Sequence, residues 1–231
     1  MRQTHNYNER VLIRELHPWN LSIPAAIEIQ KRLSELVQKE GIIRDVKLVS
    51  GFDVSVNRVK EARAAAVTLS YPELEIVEKV TVRGKAEFSY IPGLLSFREV
   101  PLVLEACRKL KLKPDLIMVD GQGIAHPRRF GLACHLGMLL DLPSIGCAKS
   151  LLTGFYAEVG ENPGSYSEIH GENGEVIGAA VRTRRGSKPL IISIGHKISL
   201  SQAIEWVLKC CIDYRLPEPT RLAHLASRST D

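Results

Sequence analysis

From Ser22 to Gly41 apolar residues return at helical spacing, as Ile29, Leu33, Leu36 and Val37, with Ser22 placed to cap the start and Gly41 just past the end. The period then changes. Val46, Leu48, Phe52, Val54 and Val56 alternate, which predicts a strand and turns Asp53 to the opposite face. Two further strand patterns, Arg63 to Ser70 and Leu74 to Val82, are joined by Tyr71-Pro72-Glu73 and predict an antiparallel meander. After the loop Ser89 to Gly93, Leu94 to Leu110 reads as a helix. Leu116 to Val119 is an unbroken apolar run ending at Asp120, the signature of a strand buried on both faces. A helix from Gly131 to Leu140 leads to a short strand, Ser144 to Ala148. Residues 153 to 175 hold Gly and Pro with weak periodicity and predict a surface excursion. Strands at Val176 to Val181 and Leu190 to Ile194 precede a last helix, Ser201 to Ile212. Three strands followed by alternating helices and strands predict a mixed α/β sheet with helices on both faces, in one domain spanning 1–231.

Composition narrows the classes. The 231 residues are 45% hydrophobic and 25% charged, enough apolar material for a substantial core. Lys and Arg outnumber Asp and Glu by 31 to 26, and this excess favours a polyanionic partner. The five cysteines include the adjacent pair Cys210-Cys211 and lack C-x-x-C spacing, so they read as small buried hydrophobes of a reduced compartment. The stretch Met1 to Arg14 is polar and no apolar run reaches about eighteen residues, so the expectation is a cytoplasmic protein that works without a membrane, as a monomer.

Candidate chemistry starts with carboxylates. Asp53 lies within an apolar strand, where a buried ion pair or loop cap competes with a functional role. Asp120 closes a buried strand just before Gly121-Gln122-Gly123, and ligands of open α/β sheets bind beyond the carboxyl ends of strands. If the two strands are neighbours, the carboxylates repel across one pair unless a cation lies between them. Oxygen ligation of that kind suits Mg2+ or Mn2+ rather than zinc. Glu99 has two competing roles, because Ser96-Phe97-Arg98-Glu99 fits a capping box while Pro101 favours a helix start near Val100 that frees Glu99 for a metal. Ser89-Tyr90-Ile91-Pro92-Gly93 is either a core-covering loop or a rigid apolar wedge for a base stack. Gly121 and Gly123 form half a phosphate-binding fingerprint whose remainder is missing. His126-Pro127-Arg128-Arg129 and Lys149 supply cations for phosphates, or a solvated face.

Taken together these segments resemble endonuclease V. The matching pieces are Gly51-Phe52-Asp53-Val54, Tyr90-Ile91-Pro92-Gly93, Ser96-Phe97-Arg98-Glu99, Val119-Asp120-Gly121, His126-Pro127-Arg128-Arg129, Gly146-Cys147-Ala148-Lys149 and the run Tyr214 to Arg221, in family order across nearly the whole chain. The resemblance implies a ribonuclease-H-like fold and hydrolysis of the second phosphodiester bond 3′ to deoxyinosine, a deaminated adenine. It implies metal ligation by Asp53 and Asp120 with Glu99 and with His224, a position that varies between His and Asp in the family; catalysis by Asp53, Glu99, Asp120 and Lys149, the lysine near the scissile phosphate; and a wedge of Tyr90, Ile91 and Pro92. The mechanism expected from it has Mg2+, with Mn2+ as a substitute, polarising the phosphate and acidifying water. The flipped lesion would enter a pocket lined by Gly93, Leu95, Gly121 and Gly123, with His126, Arg128 and Lys149 on phosphates. Two positions depart from the family: Gln122 stands where His is usual, removing a proton-transfer group, and Ser89 where Pro is usual. Inosine-containing RNA is the alternative substrate, and a non-catalytic nucleic-acid-binding module the alternative class.

Overall fold

A computed structural model describes residues 11–229. Helix α1 (Ile23–Ser34) is capped by the Ser22 hydroxyl, which accepts from the Ala25 amide. It is shorter than its apolar spacing predicts. The chain uncoils at Glu35 because the next backbone groups find other partners: Gln38 O accepts from Lys197 N at 2.8 Å and Gly41 O from Ser199 N at 3.2 Å. Val37 still reaches the core without the helix.

Strands β1 (Leu48–Val56), β2 (Glu61–Ser70) and β3 (Ile76–Lys85) form the predicted meander. Helix α2 (Leu95–Lys109) follows, then β4 (Leu116–Val119), α3 (Leu132–Leu140), β5 (Ser144–Ala148), β6 (Tyr166–His170), β7 (Val176–Val181) and β8 (Leu190–His196). Helices α4 (Leu200–Lys209) and α5 (Glu218–Arg228) close the described chain. The eight strands make one sheet in the order β3-β2-β1-β4-β5-β8-β7-β6, with β1, β4 and β5 parallel and the other pairs antiparallel. The expected mixed sheet is therefore observed, with two additions. Strand β6 lies inside the stretch read as an irregular excursion, and α5 lies where no helix was expected.

The alternation of β1 and β2 sorts their residues onto two faces. Phe52, Ala64 and Ala66 pack with Val100 and Val103 of α2, while Ala65, Val67 and Leu69 pack with Ala223 and Ala226 of α5. Burial of these apolar faces is the main favourable term holding the helices to the sheet. Backbone clearance decides how close α5 comes: a Cβ on Gly51 would stand 1.9 Å from the Pro219 carbonyl oxygen. Only glycine lets the helix rest on β1 there.

Candidate active site

Parallel pairing of β1 with β4 sets Phe52 beside Val119, and the Asp120 amide donates to Phe52 O at 3.1 Å. Asp53 and Asp120 are thus the next residues of two adjacent strands, at their carboxyl ends. The structure brings His224 to the same point: its Nδ1 lies 3.3 Å from Asp53 Oδ2 and 3.5 Å from Asp120 Oδ2. One ligand atom from each of the three lies within 4.8 Å of the others. Lys149, just beyond β5, donates its ammonium to Asp120 and lies 3.5 Å from His224 Nδ1. Asp53 is only 8% exposed, and its Oδ2 accepts from the Ser227 hydroxyl. The Asp120 carboxyl is held above its ordinary pKa by burial and by Asp53, against the opposing pull of Lys149.

Glu99 stands outside that trio but within its field. Burial first, then the charges of Asp53 and Asp120, push its carboxyl to about 8. Helix α2 starts where its apolar span predicts, at Leu94–Leu95, and not at either start that the two roles of Glu99 require. Leu94 occupies the cap position without a side-chain bond, Glu99 is the fifth helical residue, and Pro101 sits inside α2. The Ser96 hydroxyl does not cap; it is buried without a partner among the described residues. Crowded carboxylates, one of them holding its proton to about pH 8, form a donor set that a divalent cation neutralises, so the residues fit a metal.

Beside this cluster is a cleft of about 140 Å3. Its lining includes Tyr90, Ile91, Pro92, Gly93, Leu95 and Gly121. Gly123 does not line it: its amide donates to Ser193 Oγ at 2.8 Å, and a Cβ there would meet the Ile194 carbonyl at 2.0 Å. Tyr90 is 68% exposed at the rim, with the Arg98 guanidinium 5.7 Å from its ring centre. Gln122 also lines the cleft and is tied by its Nε2 to Ser150 O.

His126 and Arg128, the residues expected on phosphates, are tied to the loop at Gly93. The Arg128 amide donates to His126 Nδ1, which leaves the ring proton on Nε2 to donate to Gly93 O at 3.1 Å. Arg128 donates to the same oxygen at 2.7 Å and to Gln30 Oε1. Burial and Arg128 lower the His126 pKa to about 4, so this imidazole is neutral at pH 7. The pair fixes the loop that carries Tyr90, because Gly93 has φ of +79° and its carbonyl takes both bonds.

Three contributors escaped the sequence reading. Ser227 bonds Asp53, Arg215 clamps Lys149 O at 2.6 Å and Pro189 O at 2.7 Å, and α5 carries His224 and Ser227 one turn apart. Glu218-Pro219 at the start of α5 was the available signal, since proline favours the first helical turn. Its buried side is Thr220, Ala223, Ala226 and Ser227, residues too small to register as an apolar stripe.

Known proteins match most of this chain. The family model of endonuclease V matches residues 30–225. An endonuclease V of Dehalococcoides mccartyi is 49% identical over 218 residues, 94% of this chain and 97% of that protein. The crystal structure of endonuclease V from Streptomyces avermitilis superposes with a TM-score of 0.86 at 38% identity, over 95% of this chain and 96% of that one. Endonuclease V of Ciona intestinalis, in complex with a 24mer DNA containing an inosine followed by a ribo-adenosine, gives 0.76 at 31% identity over 87% and 94%. With the family model covering most of its length, this chain, of ribonuclease-H-like fold, belongs to the endonuclease V family of metal-dependent nucleases.

Proposed function

We propose that this protein is a DNA-repair endonuclease that hydrolyses the second phosphodiester bond 3′ to deoxyinosine with Mg2+. The observation that carries the reading is the meeting of Asp53, Asp120 and His224 beside Lys149, next to a cleft headed by an exposed tyrosine. Asp53 and Asp120, with Glu99 and His224, would hold the ion, and Mn2+ would substitute on the same oxygen-rich set. Bound there, Mg2+ supplies Lewis acidity to the phosphate and to an attacking water.

The chain's own groups do the rest. Ser227 orients Asp53. Lys149, pinned through its carbonyl by Arg215, presents an ammonium at the phosphate that crosses the cluster and stabilises charge developing on it. Tyr90 fills the gap left by the extruded nucleotide while the flipped hypoxanthine occupies the cleft. That cleft is far smaller than the ~300–1,000 Å3 of drug-sized sites and suits a single flat base. The whole chain, residues 1–231, acts as one domain and as a monomer in the cytoplasm.

A second substrate has its own support. The strand bound by the Ciona protein carried a ribo-adenosine after the inosine, so a 2′-hydroxyl beside the lesion is compatible with a relative's site. Matched inosine-containing DNA and RNA strands, incubated with Mg2+ or with EDTA and mapped at nucleotide resolution, test the proposal. Metal-dependent nicking of DNA at the second bond 3′ to the lesion is the expected result. Cleavage of the RNA alone reassigns the substrate, and binding without cleavage of either overturns the enzyme reading.

A further inference from the structure

We propose that Ser96 and Gln122 read the six-membered-ring edge of the flipped base, with Gln122 Oε1 accepting from hypoxanthine N1–H and the Ser96 hydroxyl donating to O6. This rests on the inosine substrate proposed above and names the side chains that select it.

The polar side chains around the cleft of about 140 Å3 divide into satisfied and unsatisfied groups. Gln30 is fully occupied: its Nε2 donates to Gly93 O at 2.9 Å and to Phe130 O at 3.0 Å, and its Oε1 accepts from Arg128 Nε. Both ring nitrogens of His126 are bonded as well. Ser96 Oγ and Gln122 Oε1 remain. Each is buried in a residue that lines the cleft, and neither has a partner among the described residues. A serine in a helix commonly returns its hydroxyl to a carbonyl one turn back, and Ser96, only 2% exposed, does not. Buried oxygens left without a partner cost free energy, so two of them on one base-sized cleft point to a ligand that supplies what they lack. Ser96 needs only a turn about χ1 to meet a base there, and the terminal torsion of Gln122 is broad.

The bond that Gln122 already makes decides which end of its amide is left. Nε2 donates to Ser150 O, an atom that can only accept, so the unpartnered end is the carbonyl oxygen. That oxygen accepts and never donates, and the amide does not titrate at working pH. Hypoxanthine carries a donor at N1 and an acceptor at O6. Adenine presents the reverse, an acceptor at N1 and a donor at N6, and unsubstituted purine has an acceptor at N1 with only C–H beside it. Gln122 Oε1 therefore bonds hypoxanthine and meets a lone pair on adenine or purine. The Ser96 hydroxyl donates to O6 or accepts from N6, so it supports hypoxanthine and adenine alike and leaves purine without a bond. Gln122 selects against the undamaged base, and Ser96 strengthens the grip on either.

Labelled single strands that differ at one base, hypoxanthine, adenine or purine, are titrated in EDTA and followed by fluorescence anisotropy. Single strands remove base pairing from the comparison. Wild type should prefer hypoxanthine to adenine about tenfold, and to purine by more, at about tenfold for each bond lost. In Gln122→Met the preference over adenine should fall about tenfold, because the selective acceptor is gone. In Ser96→Ala that preference should hold while the preference over purine falls about tenfold. A role in structure alone would weaken all three strands alike and leave both preferences as in the wild type. Should Gln122→Met melt early, Ser96→Ala decides through the purine comparison. Wild-type preferences retained in either variant overturn the assignment and leave the inosine reading standing, whereas a wild type that binds the three strands alike overturns both.

Discussion

Ser227 shows how much a single hydroxyl can decide. Its Oγ lies between Asp53 and the His224 carbonyl, and it fixes the orientation of the carboxylate without reaching the cleft. Groups that hold a ligand in this way are worth roughly 10–100-fold in metal affinity or activity. Ser227→Ala should therefore lower nicking within that range and raise the Mg2+ concentration needed, with the melting temperature little changed. Asp53→Asn should cost more than that and resist rescue by excess Mg2+; near-wild-type nicking by it would remove Asp53 from the metal site. Glu99 makes a prediction of its own. Its carboxyl titrates at about 8 in the fold against 4.5 when exposed, so the unfolded chain releases the proton first. The contribution of Glu99 to the stability of the metal-free protein then falls as pH rises from about 4.5 to 8 and levels off above. Glu99→Gln should remove that decline. Melting curves in EDTA at pH 5, 6.5 and 8 check it, and identical pH dependence in the two proteins would refute it.

At the scale of elements, α5 and the loop before α2 carry the site. Gly51→Ala places a methyl 1.9 Å from the Pro219 carbonyl oxygen, a backbone atom that can yield only by lifting the helix. Overpacking typically costs about 1–3 kcal/mol, and here the displaced helix bears His224 and Ser227. A lowered melting temperature together with lost nicking is expected, whereas Ala64→Gly, on the face away from α5, should cost stability without the same loss of activity. The wedge loop is braced by His126 and Arg128 through Gly93 O, so Tyr90 enters a stack from a fixed base. Tyr90→Ala should weaken binding to inosine duplex about tenfold, from ~1–3 kcal/mol of stacking, and leave undamaged duplex binding nearly unchanged. Equal losses on both duplexes would make Tyr90 structural only.

Across the whole molecule, buried histidines set the acid limit. His126 and His196 are lowered to about 4, and His135 well below 6.5, each chiefly by burial. The unfolded chain protonates them near 6.5, so their contribution is complete above that pH and is lost as pH falls toward 4. The Glu99→Gln protein is the proper background, because Glu99 acts with the opposite sign over part of that range. Its melting temperature should drop between pH 6.5 and 5, before ordinary carboxylates titrate; a flat curve there would contradict the burial argument.

Much of this molecule was written in local periodicity. Alternation located β1 and put Asp53 opposite its apolar side, the run Leu116 to Val119 announced a strand buried on both faces, and Ser22 marked the start of α1. Such signals are legible because each depends on residues within one element. The end of α1, the part Ser96 plays in the first turn of α2 and the existence of α5 were not legible. Gln38 and Gly41 leave the helix for bonds to the β8–α4 turn, Pro101 is carried inside a helix that packing sustains, and α5 is held by small residues against β1 and β2. The site divides in the same way. Asp53 and Asp120 were readable as carboxylates in and at the end of apolar strands and Glu99 as a cap or a ligand, but the approach of His224 and Ser227 depends on a helix more than 160 residues downstream of β1 and on a glycine that lets it lie flat. Sequence determined which groups were present and which face of each element they took. Tertiary structure alone decided which of them meet, because that depends on backbone clearance and on carbonyls that find partners far away in the chain.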